Sequence, residues 1–332
     1  MEGSFWLFAI VVFLGLWLVA NMHDYNRMYE GFKNGGDGES GDEDASTKKE
    51  GGGSAKKEGG GSAKKEAGVP TEERHDYAEI YDDFYAGVYT TLFETPALIS
   101  FQKASIREYA LAEWPKDEIK LLDVCCGVAP LAEWLCKEGV DFVGVDQSEA
   151  MLKKAREKCK SARFYKADVT RVETFSPKSF SHAMMLYFSI YQFKNIKMVL
   201  DNIYSWLKPG GIFVIHLVDP AKFDPILPAA SPFLAFSVQK YSVERVIDSD
   251  LFFDKFKYKS RFLKDPDDDN ARFEEVFEFK DPHKYIENIH DLHMPTIPDM
   301  LDLLRSSGFS RQEMVDMTSV GYEYQYLVYL SK

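Results

Sequence analysis

Two aspartates, Asp123 and Asp146, stand twenty-three residues apart, and each closes or ends an apolar run: Ile119-Lys-Leu-Leu-Asp-Val124 and Phe142-Val-Gly-Val-Asp146. Between them lie a short loop, Cys125-Cys126-Gly127-Val128-Ala129, and a helix-like stretch. A buried strand, a tight loop, a helix and a second strand ending in an acid form the layout of a nucleotide-type pocket at the carboxyl ends of parallel strands. The two oxygens of Asp146 suit two adjacent hydroxyls of a ribose. A loop that cradles a pyrophosphate needs glycine at three positions so that backbone can approach it. Here Cys125, Gly127 and Ala129 occupy those places. One glycine is too few, and a nucleoside-bearing ligand without phosphate is expected instead. As a helix N-terminal acid, Asp146 would have a purely structural role, and Asp123 reads equally well as a buried structural acid.

Other residues able to do chemistry lie further along. Tyr81 and Tyr85 share one helical face, Tyr187 and Tyr191 follow an apolar run, and His216 and Asp219 end another. Each suits a packed core as well as a site. His290 and His293 bracket Asp291, but two histidines without a further cluster favour a strand histidine over a metal ligand.

The elements that must position these residues follow from periodicity. Residues 73–112 read as two helices, from Glu72 to Gly87 and from Ala97 to Glu113. Strands are expected at Ile119–Val124, Phe142–Val145, Arg163–Lys166, His182–Tyr187 and Ile212–Val218. Helices alternate with them at Leu131–Lys137, from Ser148 to about Lys158, and at Ile196–Leu207, the last ending at Lys208-Pro-Gly-Gly211. From 219 to 294 the pattern changes to that of half-exposed antiparallel strands, at Ala235–Tyr241, Leu251–Phe262 and Arg272–Phe279. A helix at Ile297–Ser307 and strands near Gln312–Met317 and Tyr322–Leu330 end the chain. The expected fold is α/β: a doubly wound, Rossmann-like, seven-stranded sheet, mostly parallel with an antiparallel last strand. An inserted antiparallel β cap lies over the carboxyl ends of its strands.

The chain has 332 residues and a formal net charge of −13, which argues against a nucleic-acid substrate. Residues 5–20 carry no charge and predict an N-terminal transmembrane helix, with 1–33 as anchor and flank. A cleaved signal peptide fits less well, because there is no basic leading region and Leu18 stands where a small residue is wanted. Arg27 and Lys33 weakly favour a cytosolic catalytic domain. Residues 34–69 read as a flexible linker, with Gly-Gly-Gly-Ser-Ala-Lys-Lys-Glu at 51–58 and again at 59–66. The four cysteines form no C-x-x-C pair, consistent with a reducing compartment. Residues 70–332 remain for the globular domain.

Four motifs in order carry a resemblance. Leu122-Asp-Val-Cys-Cys-Gly127 is similar to motif I of the class I S-adenosylmethionine-dependent methyltransferases. Asp146 matches the family's ribose acid, Ala167-Asp168-Val169 its adenine motif, and Leu207-Lys-Pro-Gly-Gly211 its turn before the fifth strand. Cys125 and Ala129 depart from the commonest loop. Within the family the chain most resembles small-molecule N-methyltransferases, including the aminosugar and glycine-N-methyltransferase-like groups, through Tyr77–Tyr85, Tyr187-Phe-Ser-Ile-Tyr191 and Glu287-Asn-Ile-His290. The resemblance implies S-adenosyl-L-methionine as cofactor, held by Tyr81, Asp123, Cys125, Gly127, Asp146, Gln147, Met151, Asp168, Val169 and Leu186. It implies His290, Tyr191 and Tyr85 as catalytic residues, no metal, and methyl transfer to a small-molecule or sugar amine or hydroxyl. The alternatives are a membrane-associated protein or lipid acceptor, and a cofactor-binding regulator without transfer activity.

Overall fold

The computed structural model describes residues 71–75, 77–227, 239, 245–280 and 284–332. The expected membrane span, the linker and most of the expected strand at 235–241 lie outside the described residues. Among the described residues no helix is long and apolar enough to cross a membrane.

Seven strands build the main sheet: β2 (Lys120–Val124), β3 (Asp141–Asp146), β4 (Arg163–Lys166), β5 (Phe180–Met185), β6 (Leu207–Val218), β11 (Ser310–Asp316) and β12 (Gln325–Ser331). Their order is β11-β12-β6-β5-β2-β3-β4. Pairing from β6 through β4 is parallel, and β12 runs antiparallel to both its neighbours. The chain leaves β2 toward β3 and β4 on one side, then returns to β5 and β6 on the other. This reversal opens a crevice beyond the carboxyl ends of β2 and β5. Leu121, Leu122, Val124 and all of β5 are buried, as central strands covered on both faces must be. The Lys208-Pro-Gly-Gly211 turn lies inside β6 as a bulge: Phe180 pairs with Leu207 and His182 with Ile212. Gly210 there has a φ of +75°. A Cβ on Gly211 would stand 2.8 Å from the carbonyls of Lys208 and Ser181.

A second sheet, in the order β1-β10-β9-β8-β7, lies apart from the first. Its meander is β7 (Asp248–Phe252), β8 (Phe256–Lys264), β9 (Asn270–Phe279) and β10 (Lys284–His293). Two expectations are corrected. The stretch Leu251–Phe262 is divided by a tight hairpin, closed where Phe253 N donates to Phe256 O at 2.9 Å. The sheet is also neither wholly antiparallel nor wholly inserted, because β1 (Thr71–His75) pairs parallel to β10 along its edge. Residues 72–75 are therefore strand, not helix. Partnership with an exposed edge overrides a weak local preference.

The first expected helix is also broken. A single turn at Tyr77–Ile80 ends in a bend, and α1 (Asp83–Phe93) starts anew because the Asp82 carboxylate accepts from Tyr85 N at 2.7 Å. Helix α2 (Pro96–Ile106) is capped by Thr95, with proline in its first turn. Helices α3 (Ala132–Lys137), α4 (Glu149–Lys158), α5 (Ile196–Trp206) and α6 (Ile297–Ser306) cover the main sheet. Apolar cores fill both faces of that sheet. A third core, with Val88, Leu92, Val128, Met151, Phe256 and Phe277, joins α1 and α4 to the second sheet.

His182 sits in β5 with Nε2 2.8 Å from the Ala110 carbonyl and Nδ1 2.9 Å from the Ser181 hydroxyl. Burial lowers its pKa to about 4, partly opposed by the Ala110 bond. Between pH 6.5 and 4 the unfolded chain takes up a proton that the folded ring refuses, so this group costs stability on acidification. Relative to His182→Gln, the wild type should lose roughly 2 kcal/mol between pH 7 and pH 5 in urea titrations. A difference that does not change with pH would contradict this reading.

Candidate active site

The loop after β2 takes left-handed backbone at Cys125 (φ 55°), Gly127 (φ 52°) and Ala129 (φ 47°). The two non-glycine residues keep the conformation that glycine usually supplies, at a cost of order 1 kcal/mol each. Strand β3 passes close beneath: a Cβ on Gly144 would meet Cys126 Sγ at 2.8 Å and the Phe164 ring at 2.7 Å. Asp146, at the end of β3, clamps the loop. Its Oδ2 accepts from Gly127 N at 2.9 Å and its Oδ1 from Ser148 N at 2.8 Å. Ser148 in turn caps α4 and donates to the Tyr81 carbonyl at 2.6 Å.

These residues surround a cavity of about 320 Å³. Tyr81, Cys125, Gly127, Asp146, Gln147, Met151 and Val169 all line it. Three other expected cofactor residues do not. Asp123 is buried beneath the loop, where burial and the charge of Asp146 push its pKa well up. Leu186 packs in the core on one face of the sheet. Asp168 stands just behind the wall that Ala167 and Val169 form. Its Oδ1 accepts from Thr170 N, the Thr170 hydroxyl and Gln147 Nε2. Burial raises its pKa, but the Thr170 and Gln147 bonds outweigh that and hold it below the ordinary value. Burial, reinforced by the charges of Asp146, Asp123 and Asp168, keeps the Cys125 thiol protonated, so it is no nucleophile.

A second cavity, of about 140 Å³, lies beside the first; Tyr81, Tyr89, Ser189 and Gln192 line both. Its walls come from α1 (Tyr85, Tyr89, Phe93), from the second sheet (Phe262, Phe273, His290, Leu292) and from the ends of β5 and β6 (Tyr187, Phe188, His216). The second sheet thus caps the crevice. Tyr85 and His290 are both in this cavity, and both meet Glu275. That carboxylate has no exposed surface. It accepts from the Tyr85 hydroxyl at 2.9 Å, from the Tyr258 hydroxyl at 2.8 Å and contacts His290 Nε2 at 2.7 Å. Burial first, then the Glu275 charge, raises the Tyr85 and Tyr258 phenols well above their ordinary range.

Glu275 escaped sequence reading, although a signal exists: Phe273, Glu275 and Phe277 share one face of β9, and its flanking aromatics point inward. Tyr191 is a correction in the other direction. It lines neither cavity, is wholly buried, and its hydroxyl accepts from Val218 N at 2.9 Å. It ties the segment after β5 to the end of β6. Among the described residues no group of three or more His, Cys, Asp or Glu side chains could hold a metal.

Residues 121–211 match a family model described as a methyltransferase domain. Over 158 residues the chain is 31% identical to a demethylmenaquinone methyltransferase of Listeria welshimeri, an alignment covering 39% of this chain and 66% of that protein. The match thus spans just under two thirds of the relative. Two solved structures share the fold. An S-adenosylmethionine-dependent methyltransferase from Clostridium acetobutylicum aligns with a TM-score of 0.54 at 17% identity, over 75% of this chain and 96% of that one. The sugar N-methyltransferase KedS8 from Streptoalloteichus aligns with a TM-score of 0.55 at 19% identity, over 81% and 99%.

The larger cavity fits this cofactor class. Each Asp146 oxygen accepts one backbone N–H and keeps acceptor capacity for a ribose hydroxyl, while Ala150, Met151, Val169 and Phe193 supply apolar walls for a nucleobase. Burial raises the pKa of Asp146 despite the Ser148, Gly127 and Gln147 backbone bonds that lower it. Its charged form is the better acceptor, so S-adenosylmethionine affinity should be full at neutral pH and weaken as pH falls. Asp146→Asn should lower that affinity roughly 10- to 100-fold in calorimetry, about 1.5–3 kcal/mol, and flatten its acid dependence. Wild-type affinity in the variant would remove Asp146 from the site. From its motif order, its sheet topology and the family match, the chain carries a class I methyltransferase domain whose cofactor is S-adenosyl-L-methionine.

Proposed function

We propose that the protein transfers a methyl group to a small-molecule amine or hydroxyl bound beneath the cap. The observation that carries this reading is the shared wall: Tyr81, Tyr89, Ser189 and Gln192 bound both cavities, so an acceptor in the smaller one lies against the cofactor in the larger. The cofactor, when bound, supplies a methyl group on a sulfonium. Transfer then depends on alignment with an acceptor lone pair and on loss of the acceptor's proton.

The chain's own residues supply both. At the junction, Gln192 Nε2 donates to the Tyr81 hydroxyl at 2.6 Å and fixes the wall between the cavities. Glu275 holds Nε2 of His290. With Nε2–H donating to the carboxylate, Nδ1 is the basic nitrogen of the ring, and it receives the acceptor's proton. Tyr85 stays protonated and serves as a donor that orients Glu275. The second cavity argues against a cofactor-binding regulator without activity, which would have no use for it.

The apolar lining, with Phe93, Phe188, Phe262, Phe273 and Leu292, favours a second reading in which the acceptor is lipid-like. The relative named for demethylmenaquinone lends it support, while an N,N-dimethyltransferase relative from Streptomyces venezuelae acting on a dTDP-aminosugar supports the first. Tethering by residues 5–20, with the catalytic domain cytosolic, belongs to the proposal as well and rests on that uncharged run.

The protein incubated with radiolabelled S-adenosylmethionine and separate pools of amines, sugars and membrane extract should label one pool. Glu275→Gln should cut that transfer on the order of 10²-fold while leaving cofactor affinity within about threefold. Cofactor binding without label in any pool would favour the regulator and defeat the proposal.

A further inference from the structure

Among the described residues lining the acceptor cavity, His216, Tyr187 and Tyr322 each carry a buried polar atom without a hydrogen-bond partner. One is Nδ1 of His216, a residue 2% exposed. Its Nε2 lies 3.1 Å from Gln325 Oε1. An amide oxygen only accepts, so Nε2 carries the proton and Nδ1 presents a bare lone pair. The ring is stacked on Phe188, with centroids 5.8 Å apart, which fixes its plane. Burial, partly opposed by Gln325, lowers its pKa to about 4, so the ring is neutral at physiological pH.

A second is the Tyr187 hydroxyl, also buried and without a partner. Burial raises this phenol well above its ordinary range, which leaves it a donor. Tyr187 also has a φ of 57°, a left-handed conformation that a bulky side chain adopts only under constraint. Backbone strain of this kind clusters where a side chain must be aimed at a ligand. A donor and an acceptor, each buried and unmatched, are the two halves of a receptor for a group that both accepts and donates.

A hydroxyl is such a group. An anionic acceptor would face the His216 lone pair, and among the described residues no Lys or Arg lines the cavity to balance its charge. An ammonium group could satisfy His216 but would leave the Tyr187 donor unmatched. We propose that the acceptor is recognised through a neutral hydroxyl on an apolar body, its oxygen accepting from Tyr187 and its proton donated to Nδ1 of His216. This deepens the proposed function and rests on it for the identity of the cavity. The hydroxyl is a recognition group; His216 and Tyr187 determine specificity, while proton removal belongs to His290.

The test uses four matched probes on the full chain saturated with S-adenosylmethionine: 4-ethylphenol, 4-ethylanisole, 4-ethylbenzoate and 4-ethylbenzylamine. Calorimetry should show the phenol binding at least tenfold more tightly than each of the others. Tyr187→Phe and His216→Leu should each reduce that preference to threefold or less, while Tyr187→Phe keeps wild-type cofactor affinity. The proposal is overturned if the phenol does not bind, if the ether, benzoate or amine matches it, or if the preference survives both substitutions. Failure of the methyltransferase reading would appear separately, as absent label transfer in every acceptor pool.

Discussion

The carboxylate of Asp146 holds the walls of the larger cavity together. One side chain satisfies a backbone donor of the loop after β2, at Gly127, and another ahead of α4, at Ser148. Ser148 then reaches the Tyr81 carbonyl, so the same short chain of bonds locates the bend from which α1 departs. Losing the carboxylate would leave buried donors unmatched, which costs more than the net worth of the bonds themselves. The left-handed residues Cys125 and Ala129 persist because the loop is pinned at Gly127 and at Cys126, whose N–H donates to the Val145 carbonyl at 3.0 Å.

The smaller cavity has a comparable anchor in Glu275. A buried carboxylate is tolerated only when its acceptor capacity is filled, and here three side chains from different elements fill it. Two come from the cap and one from α1, so the same contacts that satisfy the charge fasten the cap to the helix that walls the cavity. Aromatic packing adds to this: Phe84 lies within 5.0 Å of Phe277 and 5.7 Å of Phe256, centroid to centroid. Under the proposed function, substrate selectivity and cap stability are therefore set by overlapping groups.

The alternation of strands and helices from 119 to 218 was legible because each element there buries an apolar run with its own period. Asp146 was legible for the same reason: it sits where such a run ends. Other features depend on partners far away in sequence. Strand β1 owes its conformation to the edge of β10, and nothing in Thr71–His75 announces that edge. The bend at Tyr81 comes from a cap formed by Asp82, one of two adjacent aspartates that local pattern does not tell apart. Tyr191 and Tyr85 look alike in sequence, yet one hydroxyl is bound to backbone, while the other donates to Glu275 and its residue lines a cavity. Glu275 stands beside Glu274, and only the register of β9 separates a buried acid from its neighbour.

The two anchors also differ in how far along the chain they reach. Gly127 and Asp146 are 19 residues apart, and Gln147 and Asp168 are 21 apart. Tyr85 and Glu275 are separated by 190 residues, and β1 finds its partner only when β10 has been made. Contacts close in sequence form early, while distant ones wait for loop closure. During synthesis the cofactor loop is complete while most of the cap has yet to leave the ribosome. Until β8 and β9 arrive, α1 exposes the aromatic face that Phe256 and Phe277 later cover, and this face is an aggregation liability of the nascent chain.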